Sequence, residues 1–281
     1  MPRRDVHPSY LRVLATFVRN SLIRDMTFRG NFLIDLFTSM AWVAINLAFY
    51  LLIFQYTSSI GRDTGWGKYQ FFLFFSTGLM INSLIQTFFM TNADEFSELI
   101  RTGELDFVLV KPIDAQFVVS LRRIDWSSLG NFAVGLVLMA WSLWHVSFRP
   151  GPLAVLLYPF YVLCGAAIYY SLMIAMASAS VWMGRNLTLL DFWFYITNFS
   201  RYPMEIYRGP IGTPLRRLFT FCIPVLIVVN VPARLLVRPL YPQTLEDGLL
   251  PAVALAATLG SLGVSRWLFQ RALMSYRSAS S

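Results

Sequence analysis

Apolar blocks of about 20 or more residues constrain the fold of this chain more than any other feature. A helix of about 20 apolar residues crosses roughly 30 Å of hydrocarbon, so blocks of this length predict membrane-spanning helices. The composition agrees, because 56% of the residues are hydrophobic and 14% are charged, whereas soluble domains carry about 25% charged residues. We therefore expect an all-α membrane protein with several crossings, and we do not expect a soluble enzyme.

The apolar blocks predict six transmembrane helices. Their approximate bounds are Asn31 to Tyr56, Tyr69 to Met90, Trp126 to Val146, Leu153 to Met183, residues 188–204 and Leu249 to Phe269. Between the last two blocks, residues 205–237 mix apolar runs with prolines and arginines. Irregular backbone is tolerated at membrane depth only where protein or water surrounds it. This region is therefore predicted to form a broken, re-entrant helical pair.

Residues 1–30 precede the first block and show an amphipathic helical pattern. Arg12, Arg19 and Arg24 lie on one side and apolar residues on the other, interrupted by Ser21 and Asp25. The pattern predicts a helix in the membrane interface, with its basic side toward lipid headgroups. The alternative is a solvated leader into the first span. We expect two units, the interface helix 1–30 and a transmembrane domain 31–281.

The arginines indicate the orientation. With six crossings, residues 1–30, residues 92–125 and the C-terminal tail lie on one side, and their cationic residues place that side in the cytoplasm. Both termini would then face the cytoplasm of a bacterial inner or plasma membrane. The arginines between 201 and 238 fall on the outer side, against the rule. A competing topology puts residues 186–213 on the cytoplasmic side and makes residues 214–236 the fifth crossing.

No catalytic or nucleotide-binding motif accompanies the apolar blocks: GxSxG, HExxH, CxxC and GxxxxGK[ST] do not occur. We expect neither an enzyme nor a bound metal or cofactor. We attribute the net charge of +8 to cationic residues that orient the protein in the bilayer, and we do not expect nucleic-acid binding. The ionisable residues nearest the hydrocarbon are Asp35, Asp191 and Arg201, which should line water, form pairs or reach the interface.

Residues 92–125 form the most informative polar segment and hold seven of the fifteen acidic residues. Asn92 or Asp94 is predicted to cap a helix with acidic residues in its first turn, and Gly103 is predicted to end it. A second element begins at Leu105 and is broken by Pro112. Because most connections have about 2–6 residues, this longer arrangement predicts a structured projection between two spans.

Two runs resemble motifs of a known family. IRTGELDFVLVKPID, at residues 100–114, is similar to the hallmark I-x-x-G-x-L-D-x-x-L-x-K-P of the membrane subunits of ABC-2 type exporters, in the branch called ABC-2 family permease and formerly described as a domain of unknown function. SRYPMEIYRGPIGTPLRRLFTFCIPVLIVVNVPARLLV, at residues 200–237, is similar to a second motif of that branch. The resemblance implies a coupling helix between Glu95 and Leu109, docked on a separate ATPase subunit, and re-entrant helices before the last span.

The resemblance also implies a permease that forms the translocation path as a homodimer or heterodimer and leaves ATP and Mg to partner ATPase subunits. Phe96, Leu99 and Ile100 are predicted to be a buried ridge in that contact, with a charged rim around them. The residues predicted for coupling are Glu95, Phe96, Glu98, Leu99, Ile100, Arg101, Gly103, Glu104, Leu105 and Asp106.

Polar and aromatic residues within the spans are the candidates for the translocation path. They are Asn46, Tyr50, Asn82, Gln86 and Tyr169, a set that suits an amphipathic or lipid-like cargo. Two other functions stay open. One is a membrane scaffold that an ABC ATPase drives without moving cargo, and the other is an integral membrane enzyme that modifies lipids.

Overall fold

A computed structural model describes residues 9–61, 64–183, 187–238 and 245–276. These residues form helices and contain no strand, apart from an isolated bridge between Ser59 and Gly67. In chain order the helices are α1 Tyr10–Thr27, α2 Arg29–Tyr56, α3 Lys68–Ile85, α4 Thr91–Thr102, α5 Leu105–Leu109, α6 Ala115–Leu121, α7 Leu129–His145, α8 Pro152–Met183, α9 Leu187–Asn198, α10 Gly209–Arg217, α11 Val225–Val237 and α12 Leu245–Ser275.

Four helical stretches of the described chain are long and apolar enough to cross a membrane. They are Arg29–Tyr56, Lys68–Thr102, Pro152–Trp182 and Gly248–Ser275. A fifth candidate is the pair Gly209–Cys222 and Val225–Val237, whose two parts meet at 87°. The apolar helix α7 has 17 residues and extends about 26 Å, slightly less than a typical bilayer core. Helix length and composition thus support four, or up to five, of the six predicted spans.

The bundle has two ends, which we call the lower end, where residues 92–125 lie, and the upper end, where residues 57–67 connect α2 to α3. Helix α3 runs from the upper to the lower end and packs against α7, α8 and α11, while α8 packs along α12. Helix α11 is apolar on all sides and is buried at every residue except Arg234. By contrast, most of the surface of α2 is exposed, as expected for a helix that faces lipid or another subunit.

Residues 205–238 leave the upper end and return to it. Glu205 accepts hydrogen bonds from Arg234 Nη2 at 2.8 Å and Arg238 Nη2 at 2.7 Å, so both ends of the excursion meet at one carboxylate. The guanidinium of Arg238 lies 5.9 Å from the ring centre of Trp66, in the upper connection. Both ends of residues 205–238 thus lie together at the upper end. The re-entrant pair at residues 205–237 and the competing topology, with residues 214–236 as the fifth crossing, stay predictions.

Helix α1 lies against the lower end of the bundle, and its place in the membrane interface stays a prediction. Ser21 Oγ accepts a hydrogen bond from the Ile124 N–H at 3.0 Å, and Asp25 Oδ2 accepts one from the Trp126 N–H at 3.3 Å. These two polar residues, which interrupt the apolar side of α1, therefore attach it to the chain before α7. The helix ends at Thr27, and the backbone turns at Phe28 into α2. Residues 1–8 lie outside the described part of the chain.

Candidate functional site: the 92–125 segment and a membrane cavity

The helix of the 92–125 segment does not begin at Asn92 or Asp94, so the predicted cap is wrong. Helix α3 passes through a π-helical turn, Gln86–Met90, directly into α4. The two helices form one rod, Lys68–Thr102, of 35 residues. The Asn92 side chain instead bonds a distant backbone: its Nδ2 donates to the Arg123 carbonyl, and its Oδ1 accepts from the Arg123 N–H at 2.9 Å.

The end of α4 agrees with the prediction. Gly103 follows the helix with φ of 76°, in the left-handed region that favours glycine. The short helix α5 then covers Leu105–Leu109 and ends before Pro112, because proline cannot donate the backbone hydrogen bond that a helix interior needs. The order of helix, glycine turn and apolar stub is therefore confirmed.

The predicted ridge is not a surface. Phe96 is fully buried, and its ring centre lies 5.5 Å from that of Phe269 in α12. Leu99 and Leu105 are also buried, and Ile100 is half-buried against the same core. The apolar face of α4 packs on its own bundle, so these residues hold the segment in place and are not available to a partner.

A different set of residues is exposed at the lower end. Phe107 is 74% exposed and Val110 is 85% exposed, and both belong to the apolar stub. We call seven of the exposed residues of this region the docking tip. It comprises Glu98, Arg101, Glu104, Phe107, Leu109, Val110 and Lys111. The sequence pattern marks the stub as apolar, but only the fold shows which of its side chains point outward.

The charged residues of the segment divide into internal and exposed pairs. Glu95 forms ion pairs with Arg122 and Arg123, which precede α7, so it fixes the segment from within. Glu98 and Arg101 form an exposed pair one turn apart on α4. Asp106 lies beside Tyr276, and burial together with this carboxylate raises the pKa of the phenol. Of the predicted rim, Glu98, Arg101 and Glu104 are thus on the surface, whereas Glu95 and Asp106 are partly buried.

A polar network joins the segment to α8 and α12. Arg266 Nη1 of α12 donates to Asp114 Oδ1 at 3.1 Å and to Gln116 Oε1 at 2.9 Å. Gln116 Nε2 donates to the hydroxyl of Tyr170 in α8 at 3.0 Å. Burial raises the pKa of Asp114, but hydrogen bonds from Arg266 and the Phe117 N–H outweigh it, and the net pKa is lowered. Asp114 is therefore ionised at neutral pH and holds Arg266 as a charged partner.

The π-helical turn has a contact of its own. The carbonyl of Thr87 accepts a hydrogen bond from the Asp125 N–H at 2.8 Å. A π-helical turn displaces one carbonyl from the regular α-helical pattern, and the chain before α7 satisfies it here. Asp125 is held in turn by hydrogen bonds from the Ser127 and Ser128 hydroxyls. The turn is therefore fixed to the start of α7 as well as to the rod.

A cavity of about 420 Å³ lies within the bundle beside α2, α3, α7 and α9. Three of the five predicted path residues line it, namely Asn46, Asn82 and Gln86. Asn82 and Gln86 are four residues apart and thus share one face of the rod, and Gln86 is the first residue of the π-helical turn. Other lining residues are Trp42, Val43, Phe74, Phe75, Gly78, Leu79, Ser83, Asn131, Trp193, Phe194, Thr197, Asn198, Ser200, Arg201 and Val229.

The other two predicted path residues lie in the core behind the cavity wall. The Tyr50 ring is buried, with its centre 4.7 Å from that of Phe71 and 5.3 Å from that of Phe75. Tyr169 is also buried, and its hydroxyl bonds to Ser200 Oγ. Both side chains are therefore buried in the apolar core and are not exposed to the cavity.

The three ionisable residues near the hydrocarbon have different surroundings. Arg201 lines the cavity, and its Nη2 donates to Asn46 Oδ1 at 3.2 Å. Asp35 lines a separate cavity of about 210 Å³ near the lower end, together with Arg24 and Asp125. The side chain of Asp191 lies outside the described part of the structure. The sequence names Arg201 as ionisable but gives no signal that it shares a site with Asn46.

In the described part of the chain, no group of three or more His, Cys, Asp or Glu residues is placed to hold a metal ion.

This chain was compared with known proteins in three ways. Neither the search of curated proteins nor that of solved structures finds a significant match. A family model described as ABC-2 family transporter protein matches residues 40–280, which include the cavity and the docking tip. The chain therefore belongs to the ABC-2 family of transporter proteins, multi-pass membrane components that are typically not catalytic and that associate with ABC ATPase subunits.

Proposed function

We propose that this chain is the permease subunit of an ATP-driven ABC-2 type exporter. Two copies, or this chain and a homologue, form the translocation path, and separate subunits bind ATP and Mg. The single observation that carries the proposal is the rod Lys68–Thr102. Its upper part lines the cavity at Asn82 and Gln86, and its lower part ends at the docking tip.

The rod provides a direct mechanical route between the two regions. Its 35 residues extend about 52 Å at 1.5 Å per residue. Its lower part is held to the bundle by two sets of contacts: Phe96 packs against α12, and Glu95 forms ion pairs with Arg122 and Arg123. These contacts keep the lower part of the rod from moving independently of the bundle. A displacement of the docking tip is therefore transmitted to α3, where the cavity lies, and to α8 and α12 through Gln116 and Arg266.

The docking tip can supply a useful free energy. An ATPase shifts the equilibrium between two permease states only by binding one of them better, and inverting a 1:99 population needs about 5.5 kcal/mol. Burying Phe107, Leu109 and Val110, scaled by their exposed fractions of 74%, 40% and 85%, yields about 4 kcal/mol per copy. Two copies thus exceed the requirement when the contact forms in only one state.

The proposed orientation places the lower end in the cytoplasm of a bacterial inner membrane, together with both termini. A cytoplasmic ATPase can reach the docking tip only in this orientation. The upper end, with Glu205 and Trp66, then faces outward, and residues 205–237 are re-entrant from that side. The basic residues of α1 meet anionic headgroups at the cytoplasmic interface.

The docking tip is tested by replacing its apolar residues with serine. We expect the double variant Phe107→Ser, Val110→Ser to lose the co-purifying ABC ATPase and the ATP hydrolysis that accompanies it. The matched control is Ile211→Ser, because Ile211 is 78% exposed but lies in α10, away from the lower end. Full retention of the ATPase by the double variant would contradict the assignment of the docking tip.

A second measurement separates the proposal from its alternatives. A scaffold driven without cargo would also bind the ATPase, whereas an exporter moves material across vesicles in an ATP-dependent way. The cavity lined by Asn46, Asn82 and Gln86 favours the exporter, because amide side chains at membrane depth typically line a pathway or a binding site. ATP hydrolysis without any flux would favour the scaffold, and lipid turnover without ATPase would favour the enzyme.

A further inference from the structure

The guanidinium of Arg201 lies beside the middle of α2, well below the upper end of that helix. Its Nη2 is 3.2 Å from Asn46 Oδ1, and Asn46 stands ten residues before Tyr56, the last residue of α2. At 1.5 Å per residue this is about 15 Å below the upper end of α2. The contact with Asn46 thus holds the side chain at the cavity, which both residues line.

Arg201 has no acidic partner at this site. None of the residues that line the cavity is Asp or Glu, and among the described ion pairs the arginines at 24, 122, 234 and 266 each have a carboxylate while Arg201 has none. An unpaired cation within a membrane-spanning bundle is costly on insertion scales. The amide of Asn46 accepts a hydrogen bond but carries no compensating charge.

The cavity has further polar residues in its wall. The indole Nε1 of Trp193 and the Oδ1 of Asn131 are buried within the wall and have no hydrogen-bond partner among the described residues, and Asn82 Nδ2 donates to the Gly78 carbonyl at 2.9 Å. Asn82 and Gln86 add amide groups along the rod. Aromatic residues also line the cavity, and of these Trp42 and Phe194 are exposed. The site therefore combines one cation, several amides and apolar faces.

We propose that the cavity binds an anionic group carried on an apolar body. Arg201 binds the anion, the amides of Asn82 and Gln86 offer hydrogen bonds, and the aromatic walls cover the apolar part. The volume of about 420 Å³ lies in the range of ligand pockets, about 300–1,000 Å³, and accommodates a headgroup with the first part of a chain. This inference rests on the proposed function and names its cargo class as phosphate- or carboxylate-bearing amphiphiles.

The test uses the full chain in phosphatidylcholine nanodiscs with 12-bromododecyl phosphate as the probe, because bromine quenches nearby tryptophan fluorescence. We expect quenching that saturates and that decreases in Trp42→Phe, which removes an exposed tryptophan of the cavity. Arg201→Gln should weaken binding at least tenfold, equivalent to about 1.4 kcal/mol, while Arg201→Lys keeps most of the affinity. Arg149→Gln is the control, because Arg149 is exposed in the turn before α8 and outside the cavity.

The neutral probe 12-bromododecanol should bind wild type and Arg201→Gln equally. Equal affinity of the phosphate probe for wild type and Arg201→Gln would overturn the proposal, as would equal affinity of wild type for the phosphate and neutral probes. Inorganic phosphate should compete only at concentrations at least 100-fold higher, and competition at equal concentration would refute the role of the apolar body. Thermal unfolding of each variant checks its fold.

The source of the anion is resolved in the same experiment. Displacement of the probe by phosphatidylglycerol added to the nanodisc assigns the site to membrane lipid headgroups, and failure to displace assigns it to soluble anionic amphiphiles. Both results keep an anion at Arg201. No ATPase is needed, so a negative result leaves the docking tip untouched, and loss of ATPase binding in the docking-tip variant leaves this site untouched.

Discussion

Replacing Glu205 by glutamine should destabilise the upper end of the protein markedly. The Glu205 carboxylate accepts hydrogen bonds from Arg234 and Arg238, and the side chains of Glu205 and Arg234 are 9% and 11% exposed. Removing one charge of a buried ion pair costs about 3–5 kcal/mol. We expect the lower part of this range, because Arg238 is 35% exposed and stays hydrated.

The assay is thermal unfolding of the purified chain in detergent. A loss of about 3 kcal/mol corresponds to a lower Tm by about 6–12 °C, at about 2–4 °C per kcal/mol for chains of 150–250 residues. The matched control is Glu98→Gln, which makes the same chemical change in the exposed pair with Arg101. Surface pairs contribute about 0–1 kcal/mol, so the control should shift Tm by at most a few degrees.

The Tm shifts of Glu205→Gln and Glu98→Gln together test whether the buried ion pair closes residues 205–238. Equal Tm shifts in Glu205→Gln and Glu98→Gln would show that burial of the Glu205 pair has no special effect. An unchanged Tm in Glu205→Gln would show that residues 205–238 are held by the packing of α11 alone. Either result would remove the ion pair as the closure of this excursion.

Two further predictions concern the lower end. Asp114→Asn should reduce the ATP hydrolysis of the assembled complex, because it weakens the link from the segment to Arg266. Folding lowers the pKa of Asp114, so the stability that wild type gains over the variant is fully present above the ordinary pKa of about 3.9 and is lost as pH falls through the lower folded value. A Tm difference between wild type and variant that grew toward low pH would contradict this. Gly103→Ala should cost about 1–2 kcal/mol of unfolding free energy by denaturant titration, because its φ of 76° is left-handed, and an unchanged midpoint would contradict that conformation.

Features with a local cause were predictable from the sequence. The long apolar blocks gave the helices α2, α3, α8 and α12, and Gly103 and Pro112 gave the ends of α4 and α5. These signals act within a few residues, through hydrophobic periodicity and backbone conformation. The two helix ends that Gly103 and Pro112 predict are therefore found in the structure.

Features that depend on distant partners were not predictable in the same way. A polar cluster after an apolar block indicates a new helix, but α3 continues through a π-helical turn whose Thr87 carbonyl is satisfied by Asp125, far along the chain. Phe96 and Leu99 are correctly identified as one apolar face, yet periodicity does not distinguish burial against α12 from burial against a partner. The pairing of Arg201 with Asn46 joins residues 155 positions apart, and no local pattern reports it.

The correction at Phe96 strengthens the argument for coupling. A ridge that inserted into a partner would have left α4 attached to the bundle only through the rod and its charged residues. Because Phe96 packs on Phe269 and Asp114 holds Arg266, residues 92–125 contact α12 at two positions about one helical turn apart. A close-packed interior transmits displacement rather than absorbing it. We therefore expect a partner that pulls on Phe107 and Val110 to move the rod and α12 together and to change the shape of the cavity beside Gln86.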